Sequence, residues 1–170
     1  MKRKTIYMWL VLFCTLALAA CSSAAPASTP STTDGDGSPA VQAVNPAGKI
    51  DLNTASGDEF VAAIPGLGNR MVREFMEYRP YISIQQFRRE IGKYVDEAQV
   101  AAYENYVYVP IAINDSDAET LQQIPGLSAE EAQVLISARP FASAEDFLAK
   151  LGEYISADEV GLAKGYLGGE

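Results

Sequence analysis

The chain has 170 residues, room for one medium domain or two small ones, and contains no histidine and two cysteines. That composition lacks the usual zinc ligand sets and the Cys/His or Ser/His nucleophile pairs, which argues against metal centres and triad catalysis. Thirteen basic residues stand against 22 acidic ones, a formal charge of −9 that favours solubility and disfavours indiscriminate binding of polyanions, so charge has to be read locally.

Lys2, Arg3 and Lys4 precede an apolar run, Ile6 to Leu18, that is too short to be a comfortable membrane span. Leu18-Ala19-Ala20-Cys21 follows at once. The pattern reads as a signal peptide over 1–20, and its last four residues resemble a bacterial lipobox. The resemblance implies that Cys21 becomes the first mature residue and carries the lipid, palmitate included, which would hold the protein on the extracytoplasmic face of a cell membrane. Cys14 would be cut away with the apolar run, so no internal disulfide is expected. Residues 21–48 are then the lipidated N-terminus and its linker. From Ser22 to Gly48 the chain has no aromatic residue, Leu or Ile, and cannot bury enough apolar surface to offset its ordering entropy. It reads as a disordered tether, with a coil-like span of roughly 30 Å.

Beyond Lys49 the sequence is periodic and duplicated. Ile64-Pro65-Gly66-Leu67 recurs as Ile124-Pro125-Gly126-Leu127, Arg79-Pro80 as Arg139-Pro140, Phe87 as Phe147, Gly92 as Gly152, Tyr94 as Tyr154 and Tyr106 as Tyr166, all at an offset of 60. So many coincidences at one offset mark a repeat. Two units follow, 49–110 and 111–170, and the expected fold class is all-α.

In unit one, Ser56-x-x-Glu59 is a capping box ahead of Phe60 and Ile64, and Asn69 is placed to cap a helix carrying Val72 and Phe75 that Arg79-Pro80 ends. Ser83-x-x-Gln86 opens a third helix closed by Gly92, and Asp96 opens a fourth. Unit two repeats the plan from Ser116, Ser128, Ser143 and Ser156. Tyr106 to Ile113 is apolar and β-branched but contains Pro110, so it reads as an extended connector. The expected core is Ile64, Leu67, Val72, Phe75, Phe87 and Ile91, matched by Ile124, Leu127, Leu135, Phe147 and Leu151, with the aromatic residues Tyr81 and Phe141 packed alongside.

The sharpest local feature is Pro65-Gly66-Leu67-Gly68 between two short helices. Glycines at this spacing turn the backbone tightly and expose N–H groups at a helix start whose dipole favours an anion, which makes a phosphate cradle. Arg70 and Arg73 lie one helical turn apart just beyond it. With Ile50-Asp51-Leu52-Asn53-Thr54-Ala55-Ser56 before it and Arg79-Pro80 and Phe87 after, the stretch resembles the helix-hairpin-helix domain of the competence protein ComEA family. The resemblance extends over nearly all of 49–170, applied twice. It implies tandem helix-hairpin-helix units of the SAM-like, RuvA-domain-2-like kind in a membrane-anchored DNA-uptake receptor that binds duplex DNA through backbone amides without reading sequence. Carried onto this chain, the DNA-phosphate residues are Gly66, Leu67, Gly68, Asn69, Arg70 and Arg73.

The chain departs from the family pattern in two ways. A second glycine hairpin is expected in each domain, and bulkier residues occupy its places: Gly92-Lys93-Tyr94-Val95 and Gly152-Glu153-Tyr154-Ile155. In unit two the first hairpin continues into Ser128, Glu130 and Glu131, and the unit has three basic against eleven acidic residues, compared with seven against nine in unit one. DNA is therefore expected on unit one, and a protein partner is the alternative for acidic unit two. The same fold resemblance reaches the small extrinsic lumenal subunit of photosystem II, an assembly subunit with a Lys-Ile-Asp-Leu-Asn stretch like Lys49 to Asn53, which implies a protein-interaction module without DNA binding. Paired carboxylates such as Asp58/Glu59 stand at helix starts, where capping and dipole effects account for them. No catalytic residues, cofactor or metal ligands are expected, and the chain is not read as an enzyme.

Overall fold

A computed structural model describes residues 44–168. The expected signal peptide, Cys21 and most of the tether lie outside these residues. The described residues are mostly helical: α1 (Gly57–Ala63), α2 (Asn69–Glu77), α3 (Ile84–Ile91), α4 (Glu97–Glu104), α5 (Ala118–Leu121), α6 (Ala129–Ser137), α7 (Ala144–Leu151) and α8 (Ala157–Ala163), the last running into a 3-10 turn at Lys164–Tyr166. None of them is long and apolar enough to cross a membrane.

Most of these helices begin where a short polar side chain takes over an orphan first-turn amide. Ser56, Ser83, Asp96, Ser128, Ser143 and Ser156 each accept from the N–H three residues on, and at Ser56, Ser128 and Ser156 the reciprocal Glu completes the box. Two expected caps differ. Asp117, not Ser116, caps α5, because the Ser116 hydroxyl is turned back to accept from Ala112 N–H at 3.0 Å. Asn69 is the first helical residue of α2, and the cap position belongs to Gly68, which has no side chain to fill it.

The expected connector is extended, and it also pairs. Its residues Val107–Tyr108 form a strand, β2, beside β1 (Ile50–Asp51), parallel and in the register Ile50 with Val107 and Asp51 with Tyr108. Ile111 makes the matching parallel bridge to Leu167 in the second repeat. The entry and exit of each repeat are thus bonded to each other, and one extended segment serves as the exit of the first and the entry of the second. Pro110 sits between the two pairings, where no ladder amide is required.

An ordered turn precedes β1. Asn45 is buried, its carboxamide oxygen accepts from Ala47 N–H at 3.1 Å and Lys49 N–H at 2.8 Å, and Pro46 packs on Gly165 so closely that a side chain at 165 would collide with it. The folded part therefore begins before the composition of the tether ends, because one Asx turn and one proline ring suffice to hold the strand entry.

Each repeat has its own apolar core. In the first, the edges and faces of Phe60, Phe87 and Tyr103 meet Phe75 with centroids 5.4, 5.3 and 5.3 Å away, near the T-shaped optimum. Ile64, Leu67, Val72, Ile84 and Ile91 close around them. In the second, Ile124, Leu127, Leu135, Phe147 and Leu151 hold the equivalent places, with Phe141 half-buried against Phe147. Each such side chain contributes about 1.5–3 kcal/mol by leaving water. The repeats are joined where the Ile84 N–H donates to the fully buried Thr120 hydroxyl at 3.0 Å, and where the Gln123 carboxamide bonds both the N–H and the C=O of Val109.

Candidate functional site

Pro65 to Gly68 joins α1 to α2. Gly66 has φ +76°, the left-handed region in which glycine is favoured, and it turns the chain so that Leu67 points inward. Leu67, counted among the phosphate-binding residues by resemblance, is an anchor: its side chain is in the core and its N–H donates to Ile64 C=O at 3.2 Å. That amide is already used within the turn. Gly66, Gly68, Asn69 and Arg70 are exposed. Gly68 carries ordinary extended angles, φ −84° and ψ 154°, at the cap position, and the first turn of α2 receives no side-chain cap. A side chain at Gly68 would stand in open space. The result is a nine-residue helix whose first turn is exposed and carries no side-chain cap, beside two exposed arginines.

The equivalent turn of the second repeat has the same backbone and a different occupancy. Gly126 has φ +82°. Ser128 occupies the cap position, its hydroxyl accepting from Glu131 N–H at 3.3 Å while the Glu131 carboxylate accepts from Ser128 N–H at 2.9 Å. The Glu159 carboxylate, itself boxed on Ser156, lies over Gly126 where a side chain would stand. Backbone hydrogen bonding from Ser128 and from Ser156 holds Glu131 and Glu159 below the usual carboxylate range, so both are anionic at neutral pH. This turn is thus occupied by the protein's own carboxylates, Glu131 on the Ser128 amide and Glu159 over Gly126.

The basic residues of the first repeat divide by what they touch. Arg79 is structural: its guanidinium donates to the carbonyls of Leu52 and Ala55 and lies over the Phe60 ring, and Arg139 does the same for Ile113 and Ser116. Arg88 forms a forked pair with Glu104 at 2.7 and 2.8 Å, and Arg89 and Lys93 both bond Glu90. Arg70 and Arg73 take part in none of these ion pairs. Arg73 is exposed on α2. The Arg70 guanidinium carbon lies 5.7 Å from the centre of the Tyr94 ring. Tyr94 in turn shares a hydrogen bond of 2.8 Å with the Tyr78 hydroxyl, and Lys93 Nζ lies 4.9 Å from the Tyr78 ring. Lys93 and Tyr94 stood out in the sequence only as departures from the second hairpin, and Tyr78 did not stand out at all.

The chain matches no family model, no curated protein and no solved structure with which it was compared.

Proposed function

We propose that the protein is a membrane-tethered, extracytoplasmic helix-hairpin-helix protein whose first repeat binds the backbone of duplex DNA without sequence preference. The observation that carries this reading is the contrast between two turns of nearly equal backbone. The one at Gly68 leaves its helix amides without a side-chain cap beside two arginines that enter no ion pair among the described residues, whereas the one at Ser128 is closed by Ser128, Glu131 and Glu159. Exposed amides at a helix start with neighbouring guanidinium groups suit a phosphate diester, and they recognise charge and shape but no base. Leu67 supports the turn from within the core, and Gly66, Gly68 and Asn69 supply the donors.

The test is a titration of the mature protein, with Cys21 replaced by Ser, against short duplexes at two or more salt concentrations. Binding should be weak and fall steeply with salt, with a logarithmic slope of about −0.9 for each phosphate neutralised. Gly68→Leu and Arg73→Glu should each weaken it without unfolding the protein, since both positions are exposed. Absence of any salt-sensitive affinity at low ionic strength would overturn the reading. The second reading, an assembly module whose acidic second repeat meets a basic protein partner, would then take its place, favoured by the closed, carboxylate-filled turn of that repeat.

A further inference from the structure

The two repeats meet at a crevice of about 170 Å³, which the first repeat walls with Lys49, Ile84 and Val107 and the second covers with Glu119, Gln122 and Gln123. Across this joint the first amide of α3, Ile84 N–H, donates to the Thr120 hydroxyl of α5. The same wall recurs in the second repeat as Pro110, Ala144 and Leu167. There it borders a pocket of about 330 Å³, which Ile111, Ile113 and Gly168 help to line and no helix covers. The Ala144 N–H, counterpart of the bonded Ile84 amide, has no hydrogen-bond acceptor among the described residues. A surface that is closed in the first repeat therefore stands open in the second, with its apolar wall and its donor in place.

The chain itself carries a helix of the kind that closes such a wall. α1 is the counterpart of α5: Ser56 caps the one and Asp117 the other, and Ile-Pro-Gly-Leu follows both. Counted from the caps, Glu59 stands at the place of Thr120. Its carboxylate already closes the capping box on Ser56, and a carboxylate has acceptor sites left for one more amide. Val61 stands at the place of Gln122, the side chain that lines the crevice of the joint, and it is 48% exposed. An isoleucine, leucine and alanine wall with an open amide thus faces outward at one end of the molecule. An exposed valine with a carboxylate two residues before it faces outward at α1. Asp58 and Glu59 on α1 and Asp115 beside the pocket have the same sign, so contact between the two surfaces is apolar in origin and is opposed by charge.

We propose that α1 of one copy of this chain docks in the pocket beside Leu167 of a second copy, repeating between molecules the joint that α3 and α5 make within one. The two surfaces differ, so the contact is head to tail: each copy that docks leaves a pocket free at one end and an α1 free at the other, and association continues into chains. This does not rest on the DNA reading, and either can fail without the other.

The experiment is sedimentation of the mature protein, with Cys21 replaced by Ser and no DNA present, over a range of protein and salt concentrations. The weight-average mass should rise above that of the monomer as protein concentration increases. The rise should be larger at high salt, which screens the like charges, the reverse of the salt dependence of DNA binding. Val61→Arg spoils the docking helix and Ala112→Arg the rim of the pocket; both positions are exposed, so helical circular dichroism should match the parent. Each variant alone should lose the association. Mixed one to one, they should form a dimer and nothing larger, because the intact pocket of the Val61→Arg chain meets the intact α1 of the Ala112→Arg chain. A parent that stays monomeric throughout overturns the proposal, whatever the duplex titration gives. Association that either variant retains, or a mixture that stays monomeric, overturns it as well, since the contact is then not this one.

Discussion

Asn53 and Asn114 show how much a single side chain does here. Each spends both ends of its carboxamide on the backbone of one residue: Asn53 accepts from Tyr81 N–H at 2.7 Å and donates to Tyr81 C=O at 2.9 Å, and Asn114 treats Phe141 in the same way at 2.8 and 3.0 Å. The brace ties the loop before the first helix to the segment after the second, and Arg79 and Arg139 add a second tie to the same loops. In the sequence these residues read as a family pattern and a helix stop. Their partners lie more than twenty residues away, so no local signal names them. Asn53→Ala should cost about 1–3 kcal/mol, since it leaves the N–H of buried Tyr81 without an acceptor. Chemical denaturation of the variant checks this, and a midpoint equal to that of the parent would show that water replaces the amide without loss.

At the scale of elements, stability and binding are opposed in one turn. Six of the helices have a side-chain cap at the position read from the sequence, and α2 has none because the residue there is Gly68. The backbone angles at Gly68 are close to those of Ser128 in the second repeat, φ −79° and ψ 166°, and space is open for a side chain. Gly68→Ser should therefore stabilise the protein by a few tenths of a kcal/mol, because a serine cap exceeds a glycine cap by about that amount. It should weaken DNA binding at the same time, as the hydroxyl takes a donor that the phosphate needs. Thermal unfolding and the duplex titration measure the two effects on one variant. A change of the same sign in both would show that the missing cap has nothing to do with binding.

For the whole molecule, burial decides the alkaline limit. Burial raises the phenols of Tyr81, Tyr103, Tyr108 and Tyr166, with Tyr108 pushed up to about 12. In the unfolded chain they ionise near pH 10. The unfolded state therefore releases protons first as pH rises, so the stability due to these groups is complete below about pH 10 and is lost as pH climbs through the folded-state values. Unfolding midpoints should be flat from neutral pH to about 10 and then fall, with phenolate absorbance appearing together with loss of helix. Phenolate absorbance that rises near pH 10 while the helices persist would contradict it. Tyr81 and Tyr103 belong to the first core, Tyr108 and Tyr166 to the second, so both repeats should share the limit.

The repeat, the helical class, the positions of most caps and the helical centre of both cores were determined by the sequence alone. Each of these rests on residues close in the chain, or on one pattern written twice, and hydrophobic period and capping chemistry act over a single helical turn. The pairing of Ile50 with Val107, the docking of Asn45 and Pro46 beside Gly165, and the structural use of Arg79 were decided by tertiary structure, because each joins segments separated by more than twenty residues. The candidate site divides in the same way. Gly66 was legible from the glycine spacing, since a left-handed turn is a local demand, whereas the open cap at Gly68 was not, the cap having been expected at Asn69. That Leu67 faces the core, that Glu159 covers Gly126, and that Arg70 lies against Tyr94 follow from which elements pack together, and no interval along the chain encodes that.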